Sequence, residues 1–191
     1  MKIYFDGCAK TSGVGVMSHH PDKRFSTLLC NKLGAEEYNI AIAGSSNRRI
    51  VRNLIENDLS KYDLFVIQMT KRDRLEWFCK KKNEWRKVNG AVLDAKSSKH
   101  IEEKQHWENY YDKIYTDEMG VIDEKICFYA IKSLLQNKKH IIMSIDEKSN
   151  HDYDLPLDFV YRRGVDYKKG EFGIDDHKEI ENLVISRVDN R

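Results

Sequence analysis

The chain has 191 residues, of which 40% are hydrophobic and 34% are charged. This length and balance predict one soluble globular domain with a single sizeable core, spanning residues 1–191. No run of 18 apolar residues occurs, so no membrane span is expected, and the first residues lack the pattern of a secretory signal segment.

The net charge of +2 hides an uneven distribution along the chain. Residues 71–87 include eight basic and three acidic side chains interleaved with aromatic residues, whereas residues 146–181 include eleven acidic and six basic ones. The basic segment suggests binding of nucleic acid or of an anionic ligand only weakly, because carboxylates interrupt it. A solvated surface is the favoured interpretation.

The cysteines stand at positions 8, 30, 79 and 127, and no two of them form a Cys-x-x-Cys pair. Neither a zinc site nor a disulfide framework is predicted, and four thiols favour a reducing cytoplasm. The pairs His19-His20 and His151-Asp152 lack a third ligand at a suitable spacing, so we expect no metal and no other cofactor.

Three apolar runs predict buried parallel strands: Ile3-Tyr4-Phe5, Leu64-Phe65-Val66-Ile67 and Ile141-Ile142-Met143-Ser144-Ile145. A weaker fourth strand, Glu37-Tyr38-Asn39-Ile40-Ala41, precedes a Gly44-Ser45-Ser46-Asn47 turn. Between these runs the apolar residues recur at helical spacing. The four predicted helical faces are Phe25, Leu28, Leu29 and Leu33; Ile50, Val51, Leu54 and Ile55; Ile126, Tyr129, Ala130 and Leu134; and Ile180, Leu183, Val184 and Val188.

Strands that alternate with helices predict an α/β fold with a doubly wound parallel sheet, whose ligands bind at the carboxyl ends of the strands. Gly34 is expected to end the first helix, and Ser45, Ser46 or Asn47 to cap the second. The segment from about 72 to 123 is too long for a simple connection. We expect an insertion with helical parts, whose aromatic residues either wall a pocket or pack half-buried; they are Trp77, Trp85, Trp107, Tyr110, Tyr111 and Tyr115.

Several blocks of residues follow one another in an order typical of a known family. They are Asp6-Gly7-Cys8-Ala9-Lys10-Thr11, then Lys32-Leu33-Gly34-Ala35-Glu36-Glu37-Tyr38-Asn39, then Gly44-Ser45-Ser46-Asn47-Arg48-Arg49-Ile50-Val51-Arg52, and then Ile67-Gln68-Met69-Thr70 with Arg74-Leu75-Glu76-Trp77. In this order and spacing they resemble the SGNH (GDSL-like) hydrolases. The most similar branch is the one found in tailed-phage genomes, whose first block usually reads Gly-Cys-Ser-Phe-Thr.

The resemblance implies a flavodoxin-like three-layer sandwich with five parallel strands, and hydrolysis of esters in the cytoplasm of the phage's host. It places Ala9 at the nucleophile position and Asp175 with His177 as the carboxylate–histidine pair. The backbone N–H groups of Ala9 and Gly44 are implied as oxyanion donors, with Asn47 in the same block. The lack of a long apolar lid favours a small-molecule or glycan ester over a long-chain lipid.

The sequence departs from the family at three places. Ala9 cannot form a covalent intermediate. The stretch Ile67-Gln68-Met69-Thr70 lacks the asparagine that the family usually offers to the oxyanion hole, and either Thr70 or Gln68 lies nearest its place. One residue separates Asp175 from His177, and lysine follows where proline is common. Each site residue also has a structural interpretation, since glycines permit tight turns and acidic residues suit a helix N-terminus.

Ala9 permits two hypotheses. In the first, the natural protein carries serine at position 9 and alanine is an inactivating substitution, because the histidine, the carboxylate and the glycine turn all remain. In the second, the chain is a natural pseudoenzyme that binds an anionic small molecule such as a nucleotide, a sugar phosphate or a carboxylate. Lys10 favours the second hypothesis, because one engineered substitution does not explain a second neighbouring change. Neither Cys8, predicted to point into the fold, nor Ser12 is expected to attack instead.

Overall fold

The computed structural model describes residues 1–13, 21–89, 104–144, 153–156 and 174–189. The strands are β1 (Lys2–Asp6), β2 (Glu36–Asn39), β3 (Leu64–Met69), β4 (Arg74–Cys79), β5 (Glu84–Asn89), β6 (Lys139–Ser144) and β7 (Leu155–Pro156). The helices are α1 (Ala9–Ser12), α2 (Phe25–Leu33), α3 (Asn47–Glu56), α4 (Lys104–Lys113), α5 (Asp117–Leu134) and α6 (Ile174–Asp189).

Five strands form one parallel sheet in the order β2-β1-β3-β6-β7. Strand β1 lies between β2 and β3, with Tyr4 opposite Tyr38 on one side and Phe65 on the other. The loops that leave β1, β2 and β3 therefore meet at one edge of the sheet, where doubly wound sheets bind ligands.

The strand residues alternate between two helical layers. Ile3 and Phe5 pack in a core with helices α2 and α6, whereas Tyr4 packs in a second core with α3 and α5. Alternation with period two is the property of a strand covered on both faces. The result is the predicted three-layer α/β sandwich.

Two residues cap helix ends as the sequence predicts. Ser46 is the N-cap of α3, where its hydroxyl accepts a hydrogen bond from the backbone N–H of Arg49 at 3.2 Å. Gly34 ends α2 in the left-handed conformation, with φ of +59°. Strand β2 ends at Asn39, before the predicted Ala41. The predicted end of β6 at Ile145 lies outside the described residues, as do His19-His20 and His151-Asp152.

The prediction of which face of α5 is buried is partly wrong. Ile126 and Tyr129 are 60% and 64% exposed, and Phe128 and Ile131 pack on the sheet instead. Helix α5 carries apolar residues on both faces, so their spacing alone does not select the buried one. On α3, the predicted core residue Ile55 is likewise 66% exposed.

The insertion contains the helix α4, as predicted, but it begins with an antiparallel hairpin, β4–β5, that was not predicted from the sequence. Leu75 and Val88 of this hairpin are buried and form a small separate core. Its partly buried members are Trp77, Trp107, Tyr110 and Tyr111, so these aromatics pack half-buried. None of the described helices combines the length and the apolar character needed to cross a bilayer.

We expect Gly7→Ala to destabilise the protein by about 1–3 kcal/mol. Gly7 joins β1 to α1 at a φ of +156°, and an added Cβ would lie 2.7 Å from the Gln68 Cβ and 2.8 Å from the Thr11 Oγ1. Urea unfolding measures the change. Gly34→Ala is the matched control, because nothing lies within 4 Å of its added Cβ and its cost is limited to about 1 kcal/mol for the left-handed backbone. Equal losses in the two variants would contradict the close contact at Gly7.

Candidate functional site

The turn after β1 is held by the side chain of Gln68 at the end of β3. Its Oε1 atom accepts hydrogen bonds from the backbone N–H of Thr11 at 3.2 Å and from the Thr11 hydroxyl at 2.5 Å. The N–H of Thr11 is an obligate donor, so it fixes which end of the Gln68 amide faces the turn. Among the described residues, the buried Nε2 of Gln68 has no hydrogen-bond partner.

The position predicted for the nucleophile lies at the start of a single helical turn. Ala9 is the first residue of α1, and its side chain packs against the core shared by α2 and α6. Cys8 is buried, and its thiol donates to Gln68 Oε1 over 3.8 Å. The Ser12 hydroxyl donates to the carbonyl oxygen of Ala9 at 3.0 Å. Neither side chain is therefore placed as an obvious substitute nucleophile.

The glycine turn is tied to β3 by reciprocal hydrogen bonds. The Asn47 amide donates to the carbonyl oxygen of Thr70 at 3.0 Å and accepts from the Thr70 N–H at 2.7 Å. The Thr70 hydroxyl donates to the carbonyl oxygen of Ser45 at 2.9 Å and accepts from Arg74 at 2.9 Å. Asn47 and Thr70 thus orient the turn that contains Gly44, which has a φ of +75°.

A buried ion pair joins the ends of β1 and β2 to the start of α3. Asp6 is 0% exposed, and its carboxylate accepts from Arg49 at 3.0 Å and from Asn53 at 2.8 Å. Arg49 also donates to the carbonyl oxygen of Ile40 at 2.9 Å and to the Ser45 hydroxyl at 3.4 Å. Burial raises the pKa of Asp6, and the positive charge of Arg49 opposes this shift.

His177, near the start of α6, lies on the same side of the sheet as the turn after β1. Its ring is 0% exposed and stacks on Phe25, with 6.2 Å between the ring centroids. Nδ1 accepts a hydrogen bond from the backbone N–H of Phe25 at 3.1 Å. Phe25 is the first residue of α2, so the imidazole satisfies one of the donors that a helix N-terminus leaves open.

The protonation state of His177 follows from these contacts. Burial lowers the pKa of His177 to about 4, and the positive charges of Lys10 and Arg24 add to the shift. The imidazole is therefore neutral at pH 7. Since Nδ1 accepts from a backbone N–H, the single ring proton is assigned to Nε2. A serine hydrolase needs the other tautomer, in which Nδ1 donates to a carboxylate and Nε2 takes the proton of the nucleophile. Asp175 lies in the first turn of α6, and its side chain is outside the described residues.

Two residues that the structure places at the candidate site were not singled out from the sequence, Arg49 and Lys87. Lys87 of β5 reaches over the glycine turn and donates to the carbonyl oxygen of Ala43. Asp6, a charged residue directly after an apolar strand, was the available signal for a buried partner such as Arg49. The signal that covered Lys87 was the basic segment of residues 71–87, which did not single it out because its position depends on the hairpin. Among the described residues, no three His, Cys, Asp or Glu side chains are grouped as metal ligands would be.

Comparison with known proteins identifies the fold. No protein-family model matches the sequence, and no curated protein matches it. Among solved structures, an esterase from Pseudoalteromonas sp. inhibited by monoethylphosphonate is 10% identical, with a TM-score of 0.55 over 99% of this chain and 97% of that chain. The chain has the fold of an esterase.

Two further solved structures superpose less closely. An acetyl xylan esterase is 15% identical, with a TM-score of 0.42 over 100% of this chain and 73% of that chain. A family two carbohydrate esterase from Clostridium thermocellum, in complex with cellohexaose, is 14% identical, with a TM-score of 0.45 over 99% of this chain and 63% of that chain. The expected α/β three-layer sandwich is confirmed by the superposition on the Pseudoalteromonas esterase alone.

We expect Arg49→Met to lower the free energy of unfolding by about 3 kcal/mol, because it leaves the buried Asp6 carboxylate without its cation. Arg48→Met is the matched control one residue earlier. Arg48 pairs with Asp123 at 2.8 Å on the surface, where its side chain is 56% exposed, so its loss should cost about 1 kcal/mol or less. Urea unfolding of both variants checks this, and similar losses would refute the special role of Asp6.

We expect His177 to make stability depend on pH between about 4 and about 6.5. Its folded pKa lies below the unfolded value, so the unfolded state binds more protons in this window. The contribution is complete above pH 6.5 and is lost as the pH falls through 4, with a total of up to about 3 kcal/mol.

The measurement is the free energy of unfolding from pH 4 to 7.5 for the parent and for His177→Gln. The Gln side chain retains an acceptor for the Phe25 N–H but does not titrate. The two curves should converge as the pH falls. Parallel curves would show that the histidine keeps an ordinary pKa.

Proposed function

We propose that the chain is the scaffold of an SGNH-type serine ester hydrolase of the phage-type branch, in which Ala9 occupies the position of the nucleophile. The observation that carries this proposal is His177. Its side chain extends from α6 to the side of the sheet where the β1 turn begins, and the imidazole is buried and neutral there. The fold shared with an esterase agrees with the proposal but does not by itself indicate an activity.

In the proposed reaction a serine at position 9 attacks the ester carbonyl, while Nε2 of His177 accepts its proton. This step requires the Phe25 N–H to release Nδ1, so that Nδ1 can carry a proton and donate a hydrogen bond to a carboxylate. By the order of the motifs we assign that carboxylate to Asp175. The oxyanion donors are assigned to the backbone N–H groups at positions 9 and 44.

The third oxyanion donor is assigned to Gln68 rather than to Thr70. The Thr70 hydroxyl already donates its proton to the carbonyl oxygen of Ser45. The Nε2 group of Gln68 has unused N–H donors among the described residues, beside the β1 turn. A small shift of this amide would let it donate to a developing negative charge. A polar or glycan-like acyl ester is the proposed substrate, because the neighbouring cleft is lined largely by charged side chains.

A second function is favoured by the tautomer assigned to His177. With Nδ1 engaged by Phe25, the imidazole acts as a helix cap, and Lys10 and Arg24 surround it with positive charge. A binding module that holds an anionic small molecule without chemistry fits this arrangement. Alanine at position 9 is then the natural residue.

The deciding experiment is hydrolysis of p-nitrophenyl acetate by Ala9→Ser. We expect a rate at least about 100-fold above that of the parent chain, which is a typical contribution of general-base catalysis. The rate should return to the parent level in Ala9→Ser/His177→Gln, and Ala9→Gly is the control that introduces no nucleophile. A rate in Ala9→Ser equal to the parent's, across short acyl esters and acetylated sugars, would reject the hydrolase proposal and leave the binding module.

A further inference from the structure

A cleft of about 600 Å³ lies between the β4–β5 hairpin and helix α3, beside the glycine turn. Its volume is within the range of small-molecule sites. It is lined by Trp85 and Lys87 from β5, by Arg52 from α3 and by Ile42 from the loop after β2. None of these side chains belongs to the β1 turn or to α6, but the cleft lies beside Gly44, whose N–H is proposed as an oxyanion donor.

The flat indole ring of Trp85 forms one wall of this cleft. The guanidinium of Arg52 lies 4.8 Å from the centroid of the indole, and Phe78 packs against the ring edge-on at 5.4 Å. These two neighbours fix the orientation of the ring, yet Trp85 remains 48% exposed. An exposed aromatic ring in a fixed orientation is suited to packing against the flat face of a ligand.

Among the described residues, no carboxylate pairs with Lys87, although Glu76 and Glu84 also line the cleft. Glu84 pairs with Arg86 at 3.7 Å. The cross-strand neighbour of Lys87 is Glu76, but the Glu76 carboxylate is bound to Arg52 by two hydrogen bonds of 2.9 Å. Within the part of the chain that the structure describes, no carboxylate forms an ion pair with Arg74 either. Instead, Lys87 donates to the carbonyl oxygen of Ala43 and Arg74 to the Thr70 hydroxyl.

The electrostatic environment agrees with this geometry. Burial lowers the pKa of Lys87, and the positive charges of Arg49 and Arg74 lower it further. Arg49 is already paired with Asp6, whereas Lys87 and Arg74 are bonded to neutral oxygens. A ligand anion placed beside Lys87 would relieve the repulsion among these cations.

We propose that this cleft binds the anionic group of a ligand, a carboxylate or a phosphate, at Lys87, with a ring of the same ligand packed on Trp85. Lys87 Nζ lies 3.6 Å from the position that a Cβ on Gly44 would take, so the bound anion lies next to the glycine turn. The inference rests on the second proposed function, the binding of an anionic small molecule, and names where the anion is held; it does not require a nucleophile. It applies equally to the chain with alanine at position 9.

Isothermal titration calorimetry on the parent chain, which has alanine at position 9, tests the proposal. The probes are glucuronate and phenyl phosphate, with glucose and phenol as their neutral counterparts, at constant ionic strength. We expect at least one anionic probe to bind more tightly than its counterpart, and Lys87→Gln to weaken it at least about tenfold. The control Lys139→Gln removes an exposed lysine at the amino end of β6, at the opposite end of the strands from the glycine turn, and should have no effect.

Two further variants assign the contacts. Lys87→Arg should retain the preference for the anionic probe, and Trp85→Ala should weaken the ring-bearing probes more than inorganic phosphate. Glucuronate and phenyl phosphate distinguish a sugar ring from an aromatic one. Equal affinity for anionic and neutral probes, or equal weakening by Lys87→Gln and Lys139→Gln, would overturn the proposal. Because this readout is binding, its failure is distinct from a failure of Ala9→Ser to hydrolyse esters.

Discussion

The ligand-binding edge of this sheet depends on the buried pair of Asp6 and Arg49. One guanidinium bonds the end of β1, the carbonyl oxygen of Ile40 after β2 and the hydroxyl of Ser45 in the glycine turn. Its planar fork of donors holds these three segments in a fixed relation, which a flexible ammonium would not do. A buried ion pair contributes little net stability compared with apolar packing, so its main effect here is geometric. Moving the glycine turn would therefore require breaking this pair.

His177 provides a comparable link on the other face of the sheet. It connects α6 to the N-terminus of α2 by one hydrogen bond to Phe25 and by ring stacking. The same nitrogen that accepts this bond is the one that must donate to a carboxylate in a catalytic triad. Helix capping and general-base catalysis therefore exclude each other in any single state of the ring. An active hydrolase with this fold would have to replace the Phe25 contact before each reaction, at the cost of an open helix donor.

The fold was largely predictable because its signals are local. Strands buried on both faces read as continuous apolar runs, and Ser46 and Gly34 mark helix ends by their own chemistry. The core face of α5 was not predictable from spacing, since Ile126 and Phe128 are equally apolar and the sheet alone selects between them. The motifs named Gln68, Thr70 and Asn47, which the structure brings to the β1 and glycine turns, and their catalytic roles stay predictions. Lys87 was missed because a tertiary feature, the hairpin, brings it to the glycine turn.

The described residues of the predicted site around Ala9 have structural roles that do not require a nucleophile. His177 caps α2, and Asn47 and Thr70 join the glycine turn to β3. Gln68 holds the β1 turn through Thr11. Loss of any of these groups would leave buried polar partners unsatisfied, which is costly whether or not the protein is an enzyme. Their retention is therefore expected from folding alone. It follows that the presence of the histidine and the glycine turn does not favour an inactivated enzyme over a natural binding protein. The distinction between the two lies in the chemistry of position 9 and in the proton position on His177.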